Sequence, residues 1–256
     1  MPEPVPPASS SAVRVAAAGD IHCRAATRDS VLEAFSSLDG EADLVLLAGD
    51  LTGEGEVEEA EILCEAVSGT SLPVFAVLGN HDWHAGNAAE IADRLRAAEV
   101  TLLEGGASRL EVGGIEVGVA GAKGFVGGFA PSQMPDFGEP SLRAVYAETG
   151  EEVAGLDAGL REIATCAIRL VVLHYSPVQA TLEGEPPEIF AFLGSDRLAA
   201  PILEHGPDLV VHGHAHAGAA AGQIGDSPVH NVSQTVIGRE FQVFELAAEL
   251  EQGPIR

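Results

Sequence analysis

Gly79-Asn80-His81-Asp82 puts an amide, an imidazole and a carboxylate side by side, directly behind the apolar run Val74–Leu78. Each of the three can bind a cation or hand on a proton. The arrangement recurs along the chain. Val13–Ala18 runs into Gly19-Asp20-Ile21-His22, and Leu44–Ala48 runs into Gly49-Asp50. Leu170–Leu173 runs into His174, and Leu209–Val211 into His212-Gly213-His214-Ala215-His216. Mixed carboxylate, amide and imidazole donors suit borderline-to-hard divalent ions such as manganese, iron or zinc, rather than a cysteine-rich structural zinc site. Asp20, His22, Asp50, Asn80, His174, His214 and His216 are too many donors for one ion and suit two that share a carboxylate. Two ions ~3.5–4 Å apart can clamp the attacking and leaving oxygens of an in-line phosphoryl displacement.

Something must bring these residues together. Each apolar run reads as a strand buried on both faces, hence a largely parallel sheet, and open α/β sheets place ligand sites at the carboxyl ends of their strands. Asp20, Asp50 and Asn80 recur about every thirty residues, the length of a βαβ unit. They are therefore expected side by side along one sheet edge. Asp20 and His22, two apart, point the same way if the backbone there is extended. Helical spacing predicts helices ending near Leu38 and spanning about Val57–Val67, Ala88–Ala98 and Ser141–Thr165. Another is expected from an Asp196 cap to about His205. Between 101 and 120 the period changes. Leu102-Leu103, Leu110–Val112 and Ile115–Ala120, with a Gly113-Gly114 turn, read as antiparallel strands and make the architecture mixed. Short strands are expected at Val229–Val232, Thr235–Ile237 and Phe241–Leu246.

Composition limits the partners. Thirteen Lys and Arg against 39 Asp and Glu give a net charge of −26. Such a surface repels nucleic-acid backbones and anionic lipid, so long nucleic acids and membranes are disfavoured, whereas a small phosphorylated substrate is not. Three widely spaced cysteines, Cys23, Cys64 and Cys166, make no disulfide framework. With no secretory leader and no spanning apolar run, a cytoplasmic location is expected. Met1–Ser11, rich in Pro and Ser, is expected to be a disordered tail before a single domain over 12–256. A homodimer is the expected assembly, because twofold association is the commonest among soluble oligomers.

The motifs in order, Asp-x-His, Gly-Asp, Gly-Asn-His-Asp, an isolated His, then Gly-His-x-His, resemble the calcineurin-like metallophosphoesterases from Gly19 to His216. The resemblance implies a four-layer α/β/β/α sandwich of two mixed sheets flanked by helices, with a dinuclear centre. It implies that one metal takes Asp20, His22, Asp50 and His216, and the other Asp50, Asn80, His174 and His214. A hydroxide shared by the ions would attack a small phosphodiester or phosphomonoester. His81 would stabilise the charge or protonate the leaving oxygen, with Asp82 holding its ring. The sequence departs from the pattern at Cys23, where glycine is usual, and a small buried side chain is the expectation there. Protein-phosphatase activity is disfavoured because no arginine follows the second Gly-Asp, where Leu51-Thr52-Gly53 stands. A non-catalytic, protein-binding scaffold on the same fold is the alternative.

Substrate-loop insertions are expected near 121–145 and 176–195. The first is Gly-rich and carries Lys123, the only lysine, with Phe125, Phe129 and Phe137. Lys123 and Phe125 are candidate substrate-binding residues, although a lone loop lysine is usually solvated. The phenylalanines either line a pocket or pin the loop to the core. His212 is expected to pack structurally, His84 and His205 to lie at the surface, and His230 to be a contact behind the metal ligands or a plain strand residue.

Overall fold

A computed structural model of the chain describes residues 12–248, so the expected N-terminal tail lies outside the described residues. The strands are β1 Ala12–Ala18, β2 Leu44–Ala48, β3 Val74–Val77, β4 Thr101–Leu102, β5 Gly106–Val112 and β6 Ile115–Ala122. Then follow β7 Ile168–Leu173, β8 Leu209–His212, β9 Ala221–Ile224, β10 Ser227–Asn231 and β11 Gln242–Ala247. The helices are α1 Arg28–Ser36, α2 Val57–Ser68, α3 Ala88–Ala97, α4 Pro140–Glu162, α5 Phe190–Leu193, α6 Ala199–His205 and α7 Gln234–Ile237.

The strands form two mixed sheets, in the orders β11-β1-β2-β3-β4 and β5-β6-β7-β8-β10-β9. β1 to β4 run parallel, with β11 antiparallel at one edge. In the second sheet β6, β7, β8 and β10 are parallel, and β5 and β9 close its edges antiparallel. Strand alternation sorts the core into layers. Val13, Val15, Leu44, Leu46, Phe75 and Val77 face Val117, Val119, Leu170, Val172 and Val211 of the other sheet. Their neighbours Ala16, Val45 and Leu47 turn outward onto Val31, Phe35, Leu63, Ile91 and Leu95 of α1 to α3. On the far side Val171, Leu173 and Val210 pack on Leu156 and Leu160 of α4 and Ile202 of α6. The layers therefore run helix, sheet, sheet, helix. Each fully buried aliphatic chain contributes about 1.5–3 kcal/mol, and the continuous apolar run of β2 follows from its burial on both faces.

Four expectations need correction, and one strand was not expected at all. Thr235–Ile237, expected as a strand, belongs to the short helix α7, with Gly238 left-handed (φ 63°) at its end. β4 joins the first sheet parallel to β3 instead of belonging to the antiparallel pair β5–β6. The turn opening toward α6 is capped by Ser195, whose hydroxyl accepts from the Arg197 amide, and not by Asp196. The Asp196 carboxylate instead accepts from the Ala130 amide at 2.9 Å and fastens the loop over 123–139, shorter than the expected 121–145 because α4 already begins at Pro140. β9 has an Ala-Gly-Gln-Ile sequence with almost no apolar pattern; backbone pairing with β10 and the burial of Ile224 in the core order it.

Candidate metal centre

β1, β2 and β3 are neighbours, so Asp20, Asp50 and Asn80 leave one sheet at adjacent carboxyl ends. β7 and β8 are neighbours in the other sheet and deliver His174, His214 and His216. The site thus straddles the carboxyl ends of both sheets and is not confined to one edge. The backbone there is unusual. Asp20, His22, Asp50 and His214 have φ of 57°, 46°, 50° and 69°. Left-handed backbone costs a non-glycine residue about 1–3 kcal/mol, and such positions gather at functional sites. Asp20 and His22 therefore converge through a left-handed turn and not through extended alternation. The Asp20 amide donates to Gly49 O at 3.0 Å and the His22 amide to Asp50 O at 3.0 Å, which holds the turn. Two motif glycines are steric necessities. A Cβ on Gly79 would lie 2.2 Å from the amide nitrogen and Oδ1 of Asp50, and one on Gly213 would lie 2.6 Å from Asp20 Oδ2.

Asp50 is the hub. Its Oδ1 accepts the His81 amide at 2.8 Å and lies 3.4 Å from His174 Nε2. Its Oδ2 lies 3.8 Å from His22 Nε2. Two sets of potential ligand atoms, each mutually within 4.8 Å, meet at this carboxylate: Asp20, His22, Asp50 and His216, and Asp50, His174 and His214. Asn80 extends the second set, its Oδ1 being 2.8 Å from His174 Nε2. The His174 Nδ1–H donates to Ala48 O at 2.9 Å, which leaves Nε2 as a bare lone pair facing that amide. His214 donates through Nε2 to Phe192 O at 3.1 Å, leaving Nδ1 for the centre.

The electrostatics suit cations. Burial works to raise the Asp20 carboxyl, but the hydrogen bond from His216 and the charge of His174 outweigh it and hold it at about 2. The same bond raises His216. Burial lowers His22 and His174, and pushes His214 down to about 4 with help from His174. Burial thus favours the neutral, ligating form of His22, His174 and His214. Burial and the charge of Asp20 raise Asp50. His22 Nδ1 is buried without a hydrogen-bond partner. An orphaned imidazole nitrogen, converging lone pairs and a carboxylate pushed upward by its neighbour all fit divalent ions.

His81 and Asp82 divide their work differently from the expectation. His81 Nδ1–H donates to Gly53 O at 2.6 Å, which turns Nε2 toward the centre, 4.0 Å from Asp50 Oδ2. Asp82 does not hold that ring. Its fully buried carboxylate accepts from the amides of Gly79 (2.8 Å), Leu51 (3.2 Å) and Thr52 (2.8 Å) and from the Thr52 hydroxyl (2.6 Å). It ties the segment after Asp50 to the segment before Asn80.

A sequence profile described as calcineurin-like phosphoesterase matches residues 13–218. The chain belongs to the calcineurin-like phosphoesterase family. Solved structures with the same phosphoesterase fold include the phosphopantetheinyl hydrolase PptH of Mycobacterium tuberculosis, at 15% identity and a TM-score of 0.67, covering 96% of this chain and 99% of that one. GAP50, the anchor in the inner membrane complex of Plasmodium, is similar at 13% identity and 0.58, covering 92% and 81%. A putative 5'-nucleotidase of Staphylococcus aureus is similar at 16% identity and 0.54, covering 96% of this chain and 56% of its own. No curated protein sequence matches the chain.

Other residues of this phosphoesterase fall into place around the centre. Lys123 reaches a cavity beside Asn80, but its ammonium is engaged by Glu152 at 3.4 Å, Glu148 at 3.7 Å and Gly124 O at 2.9 Å. Phe125 lines the same cavity, whereas Phe129 is buried with Leu182, Leu193 and Ala215 and pins the loop. Phe137 is exposed. His212 is buried, donates from Nδ1 to Gly213 O and accepts the Thr181 hydroxyl at Nε2, so it fastens the 176–195 segment. His205 is not free at the surface but lies 2.8 Å from Asp157. The His230 ring packs on Phe244. Sequence reasoning missed Tyr175, packed on His214 at 4.4 Å, Trp83 and the Asp82 partner Thr52. Their adjacency to His174, Asp82 and Asp50 was the available signal. Among the described residues no helix is long and apolar enough to cross a membrane.

Proposed function

We propose that the chain is a metal-dependent hydrolase of small phosphoesters, with diesters favoured over monoesters. The observation that carries the reading is Asp50, a single carboxylate shared by two ligand sets. In this reading Asp20, His22, Asp50 and His216 would hold one divalent ion, and Asp50, Asn80, His174 and His214 a second, with manganese, iron or zinc as candidates. Such ions, when bound, neutralise phosphoryl charge and acidify water near neutral pH. His81, its Nδ1–H anchored on Gly53 O and its Nε2 turned to the centre, would as the imidazolium donate its Nε2 proton to the departing ester oxygen. Water supplies the new P–O bond, the ester P–O bond breaks, the alcohol gains the proton from His81, and the proton lost by water restores it.

The diester preference is supported by clefts on two sides of the centre. One, of about 550 Å³, is lined by Asp20, His22, Arg24, His81 and His216, and the other begins at Asn80. A diester can extend one substituent into each. The loops near 121–145 and 176–195 act as substrate loops in this reading. The free thiols of all three cysteines support a reducing, cytoplasmic setting. GAP50 shows that an anchor can be built on this fold, so a scaffold is the second reading. The full donor set and the inward-turned His81 weigh against it.

The test is hydrolysis of bis(p-nitrophenyl) phosphate beside p-nitrophenyl phosphate, with added manganese and with chelator. Metal-dependent turnover, faster for the diester and lost in Asp50→Asn, is expected. His81→Ala should lower kcat by about 10²–10⁴-fold. Undiminished turnover in both variants would defeat the assignment of these residues, and no turnover of either ester with metal bound would favour the scaffold.

A further inference from the structure

Beside the metal centre the fold leaves a cavity that hydrolysis itself does not require. It measures about 210 Å³ and is lined by Asn80, Trp83, Lys123, Phe125, Glu148 and Tyr175. Asn80 belongs to both the cavity and the donor set, so the cavity adjoins the place where a phosphoryl group would lie. A second lobe of about 220 Å³ continues past Trp83 and Lys123. An apolar cavity of roughly 150 Å³ is enough to take up benzene.

Three aromatic rings form its walls. The Phe125 and Tyr175 rings meet edge to face at 5.8 Å. Trp83 is 55% exposed although it follows directly on the buried Asp82. An indole held open next to a reaction centre offers its face to a ligand at little conformational cost. Charge decides which ligand. Lys123 is the sole cation of the cavity, and its ammonium sits 4.3 Å over the Phe125 ring, drawn there by Glu148 and Glu152. Glu151 lies on the second lobe, and Glu104 there is matched by Arg96. Three carboxylates against one ammonium make the lobes anionic, which disfavours a second phosphate or a carboxylate on the substrate.

We infer that this cavity is a subsite for an uncharged planar ring carried on one ester oxygen of the substrate. Trp83 and Phe125 grip the ring, and Glu148 and Glu152 exclude anionic groups. The inference rests on the phosphoesterase reading and names its substrate class: diesters bearing a neutral aromatic or heteroaromatic group, not polyphosphates.

Trp83 is the chain's only tryptophan, so its emission reports occupancy of this cavity without turnover. Manganese-loaded protein is titrated with diphenyl phosphate, dimethyl phosphate and bis(4-carboxyphenyl) phosphate. Diphenyl phosphate should shift the emission and bind roughly tenfold more tightly than dimethyl phosphate, as one stacked ring provides. The carboxylated diester should bind about tenfold more weakly than diphenyl phosphate, a deficit that Glu148→Gln with Glu152→Gln should shrink. Phe125→Ala, and Phe125→Leu should the first not fold, should narrow the preference for the ring. Equal affinity for diphenyl and dimethyl phosphate, or a preference that survives loss of Phe125, overturns the inference. Failure to hydrolyse bis(p-nitrophenyl) phosphate overturns the catalytic reading instead, and the emission titration is independent of it.

Discussion

Asp82→Asn changes one atom in the network beneath the candidate metal centre and keeps the side chain's shape. In the native protein Oδ2 accepts from the Gly79 and Leu51 amides, and Oδ1 from the Thr52 amide and hydroxyl. An amide cannot accept on both sides. With its NH2 toward Thr52, the hydroxyl can rotate to accept, but the Thr52 amide is orphaned. With its NH2 toward Gly79 and Leu51, two amides are orphaned. The first arrangement is better. One unsatisfied buried donor costs about 1–3 kcal/mol, and the surviving bonds lose the strength that charge gave them. Burying a neutral amide in place of a carboxylate recovers part of this, so a net loss of about 2–3 kcal/mol in unfolding free energy is expected. Urea unfolding of the two proteins, compared at equal slope, reads it directly. The same bonds set the spacing between Asp50 and Asn80, so manganese affinity by calorimetry should fall about 10–100-fold, as when a ligand's supporting partner is lost. An Asp82→Asn variant as stable as wild type, with undiminished manganese affinity, would refute the assignment of Asp82 as the tie beneath the centre. Loss of stability alone would show a structural bond with no hold on the ligands.

Two further outcomes follow from the same geometry. Gly79→Ala places a methyl group 2.2 Å from the Asp50 amide nitrogen and Oδ1, so manganese binding by calorimetry should be lost, and retained binding would disprove the close approach. Among the thiols, Cys64 is only half-buried, while burial above all pushes Cys23 up to about 12. Mass-resolved alkylation of native protein near neutral pH should therefore modify Cys64 first and leave Cys23 intact until the protein unfolds.

Much of the fold was written in local pattern. Runs such as Leu44–Ala48 and Leu209–Val211 are apolar because they are covered on both faces, and that signal needs no knowledge of partners. The donors followed from it, because each run stops at a residue that can bind a cation. Where local pattern was silent or misleading, tertiary context ruled. Ala221–Ile224 is a strand because β10 offers it an edge, and Thr235–Ile237 is a helix despite its β-branched residues.

The sequence by itself determined which side chains collect at strand ends, in what order, and with what donor chemistry. Only the tertiary structure decided how they converge. Two sheets, not one, supply the candidate ligands, and four of these residues sit in left-handed backbone that no spacing rule announces. It also gave Asp82 to the Gly79, Leu51 and Thr52 donors and His81 to a carbonyl, and it matched Lys123 with glutamates on α4. The physical reason is the range of the forces involved. Periodicity records burial, which each residue feels for itself, whereas hydrogen bonds and ion pairs depend on partners that only the folded chain brings within about 3–4 Å.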